Sequence, residues 1–265
     1  LSSSSAASDV YKRQAGTLIN SSSIINNAAL IFRRTNATEI DLANGISGSG
    51  SVQYEGSGVS LESQYSVNNA STYTGGTTIS NSRVNLSNST GLGSNTVVVD
   101  NGGQVFVSSA ITVANNFSIG GNGWTETGGQ LGALRLANSS AISGDITLTA
   151  NSRVTSSSGS STISGDIGGG FNLEIGEDSA AGTIVLTGNN SYTDTTISFG
   201  ALQVGAGSTT GTLGTGAIAV ASGRTLAFNR TDTYTLGSGN LVTGAGAVRL
   251  DNGTVAAAVL SLIHI

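Results

Sequence analysis

Two stretches of this 265-residue chain repeat one pattern of apolar residues, and that pattern limits the fold more than any other feature. Asn69 to Val107 places them at Ile79, at Val84 and Leu86, at Leu92, at Val97 and Val99, and at Val105 and Val107. Asn189 to Phe228 places them at Ile197, at Leu202 and Val204, at Leu213, at Ile218 and Val220, and at Leu226 and Phe228. Alternating apolar positions, bounded by Gly, Ser, Thr and Asn, describe short strands with one buried face. The offsets agree through the Leu-Gly corners Leu92-Gly93 and Leu213-Gly214. The differences are a residue lost beside Asp194 and a longer Gly/Ser/Thr loop before Leu213.

Two more internal repeats point the same way. Phe32-Arg33-Arg34-Thr35 followed by Ile46-Ser-Gly-Ser-Gly-Ser-Val52 parallels Phe228-Asn229-Arg230-Thr231 followed by Val242-Thr-Gly-Ala-Gly-Ala-Val248. Small residues at spacing two let a strand-turn-strand corner close without a clash, and Gly supplies positive φ where the turn needs it. Ile142-Ser-Gly-Asp-Ile146 recurs as Ile163-Ser-Gly-Asp-Ile167, displaced by 21 residues, which suits one coil of a solenoid.

Composition removes the competing folds. With 9% charged residues and 37% hydrophobic ones, the chain lacks the charge that keeps disordered segments apart. Its 39 glycines and many Ser, Thr and Asn disfavour helices, and no 3.6-residue apolar period persists. An elongated solenoid remains, each coil burying a thin stripe against its neighbours. The formal charge of −5 disfavours nucleic acid as a partner. No Cys is present, which is compatible with export through an envelope.

The two long repeats closely resemble the autotransporter-associated β-strand repeat of bacterial autotransporter passengers. The resemblance is most specific over residues 69–107 and 189–228 and covers most of 15–259. It implies an all-β, right-handed parallel β-helix of about 20 residues per coil, with residues 15–259 as a single passenger fragment. About a dozen such coils, ~4.8 Å apart, give a rod on the order of 55–60 Å long. The resemblance also implies export across the inner membrane, an outer-membrane β-barrel translocator elsewhere in the parent protein, and display or release outside the cell. No barrel sequence and no membrane span are read in this stretch. The implied role is non-enzymatic adhesion to glycans or proteins of host or neighbouring-cell surfaces. Alternatives are a polysaccharide-degrading enzyme on a β-helix and a biofilm or matrix structural protein.

Both ends read as foreign to that fragment. Asp9-Val-Tyr-Lys-Arg-Gln14 can be encoded by a run whose reverse complement translates as Leu260-Ser-Leu-Ile-His-Ile265. One transposon-end adapter read on opposite strands accounts for both, so residues 1–14 and 260–265 are expected to be non-native scars. The chain's Lys12 and His264 fall inside them.

With those two set aside, Ser-His-Asp and Ser-Lys catalysis lack a base, and the absence of Cys removes thiol chemistry and Cys-based zinc sites. No catalytic residue, cofactor or metal site is assigned. Paired carboxylates are the surviving catalytic option. Asp145 and Asp166 hold matching places in Ile-Ser-Gly-Asp-Ile and would stack one strand spacing apart, near the separation of a retaining glycosidase pair or a cation-ligand pair. Two solvated turn aspartates are the plainer reading. Glu174, Glu177 and Asp178 form the one local acidic cluster, read as a solvated loop ahead of a weak calcium site. Gly205 to Gly211 lacks the strand-then-helix context of a phosphate loop. Tyr73 and Tyr192 share one repeat position and are expected to pack at a coil corner. Trp124 is the candidate ligand-stacking aromatic, with packing as its alternative.

Overall fold

The computed structural model describes residues 23–34, 38–57, 62–176 and 182–257. The adapter-like termini, Glu177 and Asp178 lie outside them. The described residues form no helix, and all strand pairings but one are parallel. The chain winds around three faces, each built of strands from successive coils. The first runs from Ala29–Arg33 through Thr77–Ser80 to Ile167–Gly168. The second holds ten strands, from Ile40–Leu42 to Val242–Thr243. The third is a seven-stranded sheet from Thr112–Val113 to Ala247–Ala257. Ile146–Ser156 bends around a corner and pairs on both the first and second faces, fusing them into one sheet.

Inward positions stack residue on residue. On the second face Ile40, Tyr65, Val84, Val105, Leu134, Val154, Ile175, Ile197 and Val220 form one ladder. That ladder climbs eight steps in 180 residues, so a coil averages about 22 residues rather than 20, and the solenoid has about ten turns. The excess is localised: Leu134 follows Val105 by 29 residues, because an extra hairpin intervenes, whereas Val154 follows Leu134 by 20. Ten rungs on the second face span roughly 43 Å at ~4.8 Å per step. The apolar residues named above for the two long repeats are all buried, none more than 3% exposed. The period-two pattern arises because successive side chains on a strand point to opposite faces, here core and solvent.

Ile142 pairs with Ile163 and Ile146 with Ile167, so the Ile-Ser-Gly-Asp-Ile repeat is one coil, as its spacing predicts. The long repeats behave differently. Ile79 lies on the first face and Val84 on the second, whereas Ile197 lies on the second and Leu202 on the third. The second copy therefore starts one face later. Matching residues lie 118–121 positions apart, from Ile79–Ile197 to Val105–Leu226, or about five and a third coils at this period.

The Leu-Gly corner has a packing cause. A Cβ on Gly93 would lie 2.8 Å from the ring of Tyr73, and one on Gly214 would lie 2.5 Å from that of Tyr192. Each ring needs a corner without a side chain in the following coil. Both tyrosines are fully buried, as their shared position predicts, and their hydroxyls meet Thr77 Oγ1 at 2.6 Å and Thr195 Oγ1 at 3.1 Å. In the Gly-x-Gly corners, Gly48 and Gly244 both adopt positive φ (107° and 104°), which L side chains avoid.

Candidate functional site

The solenoid's most elaborate departure from its plain coil starts after strand Phe117–Gly121. The chain leaves the first face, forms an antiparallel hairpin of Thr125–Glu126 with Gly129–Gln130, and rejoins the second face at Leu134–Leu136. The hairpin lies over outward residues of the second face. There Phe106 pairs in register with Asn85 and Arg135, and Gln104 with Arg83. Gln104 would otherwise meet solvent, yet it is fully buried and donates from Nε2 to the Gly132 carbonyl at 2.9 Å.

A compact charged and aromatic cluster holds the hairpin down. Glu126 accepts from Arg83 Nη1 at 3.0 Å and from Arg135 Nη1 at 3.1 and 3.2 Å. The Arg83 guanidinium lies 5.3 Å from the Trp124 ring centre and 5.7 Å from that of Phe106; Arg135 lies 4.7 Å from Phe106. Burial lowers the pKa of Arg83, while Glu126 opposes the shift. Arg153 donates to Glu174 at 3.0 Å and also to the Gln130 carbonyl. Cations over aromatic faces are worth more when shielded from water, and here Arg83 and Arg135 share the Glu126 carboxylate between them.

Trp124 is 2% exposed, with Arg83 against its ring, so no broad ring face is open to solvent. Its Nε1–H has no hydrogen-bond partner among the described residues. Beside it opens a pocket of about 230 Å³ lined by Asn81, Asn101, Gly102, Trp124, Thr125 and Gln130.

Asp145 and Asp166 occupy neighbouring coils of one corner and are exposed. Their oxygens are engaged by backbone. Asp145 Oδ1 accepts the Asp166 amide at 2.9 Å, Asp166 Oδ1 accepts that of Asn189 at 2.7 Å, and Asn116 Oδ1 accepts that of Asp145 at 2.9 Å. A second run repeats the device: Asn151 receives the amide of Asn172, Asn172 that of Asp194, and Asp194 that of Ala217. A short side chain with an acceptor three bonds from Cα suits this bracing of one coil by the previous one.

Glu174 is bound to Arg153 and also accepts from Ser198 Oγ at 2.7 Å. Among the described residues no group of three or more His, Cys, Asp or Glu is placed to hold a metal ion. The Gly205–Gly211 run emerges from strand Ala201–Ser208, and Arg230 clamps its Thr209 and Gly211 carbonyls; no helix follows. The Arg83–Glu126–Arg135 cluster was not read from sequence. Its signals were an aromatic at the outward position Phe106 and charged residues in a chain that has few.

Over 93 residues, 33% of this chain, the sequence is 46% identical to a protein described as Adhesin BmaC autotransporter, from Brucella suis biovar 1 (strain 1330). The chain is similar to an autotransporter adhesin. The match spans 2% of that adhesin's length. No protein-family model matches the chain, and no solved structure matches it significantly. A parallel β-solenoid similar to part of an autotransporter adhesin fits a passenger region and supports a surface adhesin-like scaffold. No helix among the described residues is long and apolar enough to cross a membrane.

Proposed function

We propose that this chain is a stretch of the passenger of a bacterial autotransporter-like protein, displayed outside the cell through an outer-membrane β-barrel elsewhere in the parent, and that it acts as a non-enzymatic adhesive rod. The observation that carries this reading is the 46% identity to an autotransporter adhesin, in a chain that folds as stacked parallel coils. The autotransporter-associated repeats at 69–107 and 189–228 are its building units. A rod with a satisfied backbone and a Ser/Thr/Asn-rich flank keeps a long lateral surface hydrated and available for contact. The partners are glycans or proteins of host or neighbouring-cell surfaces. Asp145 and Asp166 belong to the scaffold: each gives a carboxylate oxygen to the next coil's backbone.

The test is attachment. Beads coated with the purified 265-residue chain should bind epithelial cells, extracellular matrix or other bacteria above beads coated with an unrelated β-solenoid. Attachment no greater than that of the control beads on all three surfaces overturns the adhesive reading. Depolymerisation of any member of a broad polysaccharide panel would replace it with an enzyme.

A further inference from the structure

The pocket beside Trp124 brings together side-chain amides that do not brace the coils. Several corner amides elsewhere do so: Asn115 Nδ2 donates to the Gly93 and Asn95 carbonyls, and Asn138 Oδ1 receives the Ser160 amide. The side-chain amides of Asn81 and Asn101 make no hydrogen bond with any described residue. They lie one coil apart and share this pocket with Gln130 from the hairpin, whose Nε2 already donates to the Gly123 carbonyl at 3.1 Å. Asn81 sits at φ 50°, a left-handed conformation uncommon outside glycine. Gly102, above it, has φ 85° and leaves the space over the Asn81 amide open, since a Cβ there would lie 2.6 Å from Asn81 Oδ1.

The chemistry of the lining selects the ligand. No charged residue lines the pocket, and the nearby Arg83 and Arg135 are both turned to Glu126. An anionic ligand would find no cation there. Each amide offers one acceptor oxygen and two N–H donors, which complements hydroxyls that both donate and accept. At about 230 Å³ the pocket falls below the 300–1,000 Å³ typical of sites for drug-sized molecules, which suits one ring of a longer chain. We infer that this pocket binds a single uncharged sugar residue of a surface glycan through the amides of Asn81 and Asn101 and the side-chain carbonyl of Gln130. The inference rests on the adhesive reading and gives it a contact point.

The chain has one tryptophan, so Trp124 emission reports on this pocket alone. The full chain is titrated with uncharged sugars (glucose, galactose, mannose, fucose, N-acetylglucosamine and their short oligomers), with sialic acid and inorganic phosphate as charged comparisons. Emission and saturation-transfer NMR are read together. At least one uncharged sugar should give a saturable response, weakened tenfold or more in Asn81→Gly and in Asn101→Ala, while the charged ligands stay silent. Asn81→Gly keeps the backbone conformation and decides the matter if Asn101→Ala fails to fold. Flat titrations by both readouts, a response to the charged ligands alone, or sugar binding undiminished in folded Asn81→Gly overturn the pocket. Bead attachment without any sugar response removes the pocket and leaves the adhesive rod standing. A sugar response without attachment keeps the pocket and removes the adhesion.

Discussion

Asp145 hands a carboxylate oxygen to the Asp166 amide, and Asp166 does the same for Asn189. What the corner requires of these residues is an acceptor at short reach, which an asparagine also supplies. Asp145→Asn should therefore leave the unfolding free energy from urea titration within about 0.5 kcal/mol of the parent. Asp145→Ala should lose about 1 kcal/mol, the net worth of one hydrogen bond. Equal losses in the two would mean that charge matters at this corner. The stacking of this pair was legible in the 21-residue displacement. The engagement of its oxygens was not, because the partner is backbone in the following coil, which carries no residue-type signal. The buried tyrosines make a second prediction. Burial raises the phenol pKa of Tyr54, Tyr65, Tyr73 and Tyr234, and pushes that of Tyr192 up to about 12. Above pH ~10 the unfolded chain loses these protons while the folded one keeps them, so stability falls as pH rises. The melting temperature should show no tyrosine-linked loss below about pH 10 and should drop between 10 and about 12, with 295 nm absorbance rising as the fold is lost.

The hairpin at 125–130 is the element that turns a plain coil into a site. Glu126 is its anchor, bridging Arg83 and Arg135 on either side of Phe106. Glu126→Ala would leave two guanidinium groups facing each other in partial shelter. The variant should lose roughly 2 kcal/mol, in keeping with charge-assisted hydrogen bonds, and Trp124 emission should move to the red as the cover loosens. Unchanged emission in the folded variant would show that the hairpin holds without its anchor. Sequence reasoning singled out Trp124 and missed its surroundings for a definite reason. Thr125 to Gln130 has no alternating apolar pattern, and Arg83, Phe106 and Arg135 converge only once three coils are stacked. The strands were legible because each announces its buried face locally, whereas this cluster is assembled by register.

For the molecule as a whole, period and register govern what is shown to the outside. The coil length was read slightly short, since loops and the hairpin add residues without adding rungs. The apolar ladders were read correctly because inward positions tolerate little but Val, Ile and Leu across neighbouring coils. The interval between the two long repeats, five coils and a third, has a consequence for how such a rod meets its surroundings. Corresponding outward residues of the two copies are set a third of a revolution apart about the long axis. A flat surface pressed against one side engages one copy and leaves its twin aimed elsewhere. Recombination that adds or deletes a block of this length would swing every more distal segment to a new bearing, re-aiming its outward flank without altering a single residue on it.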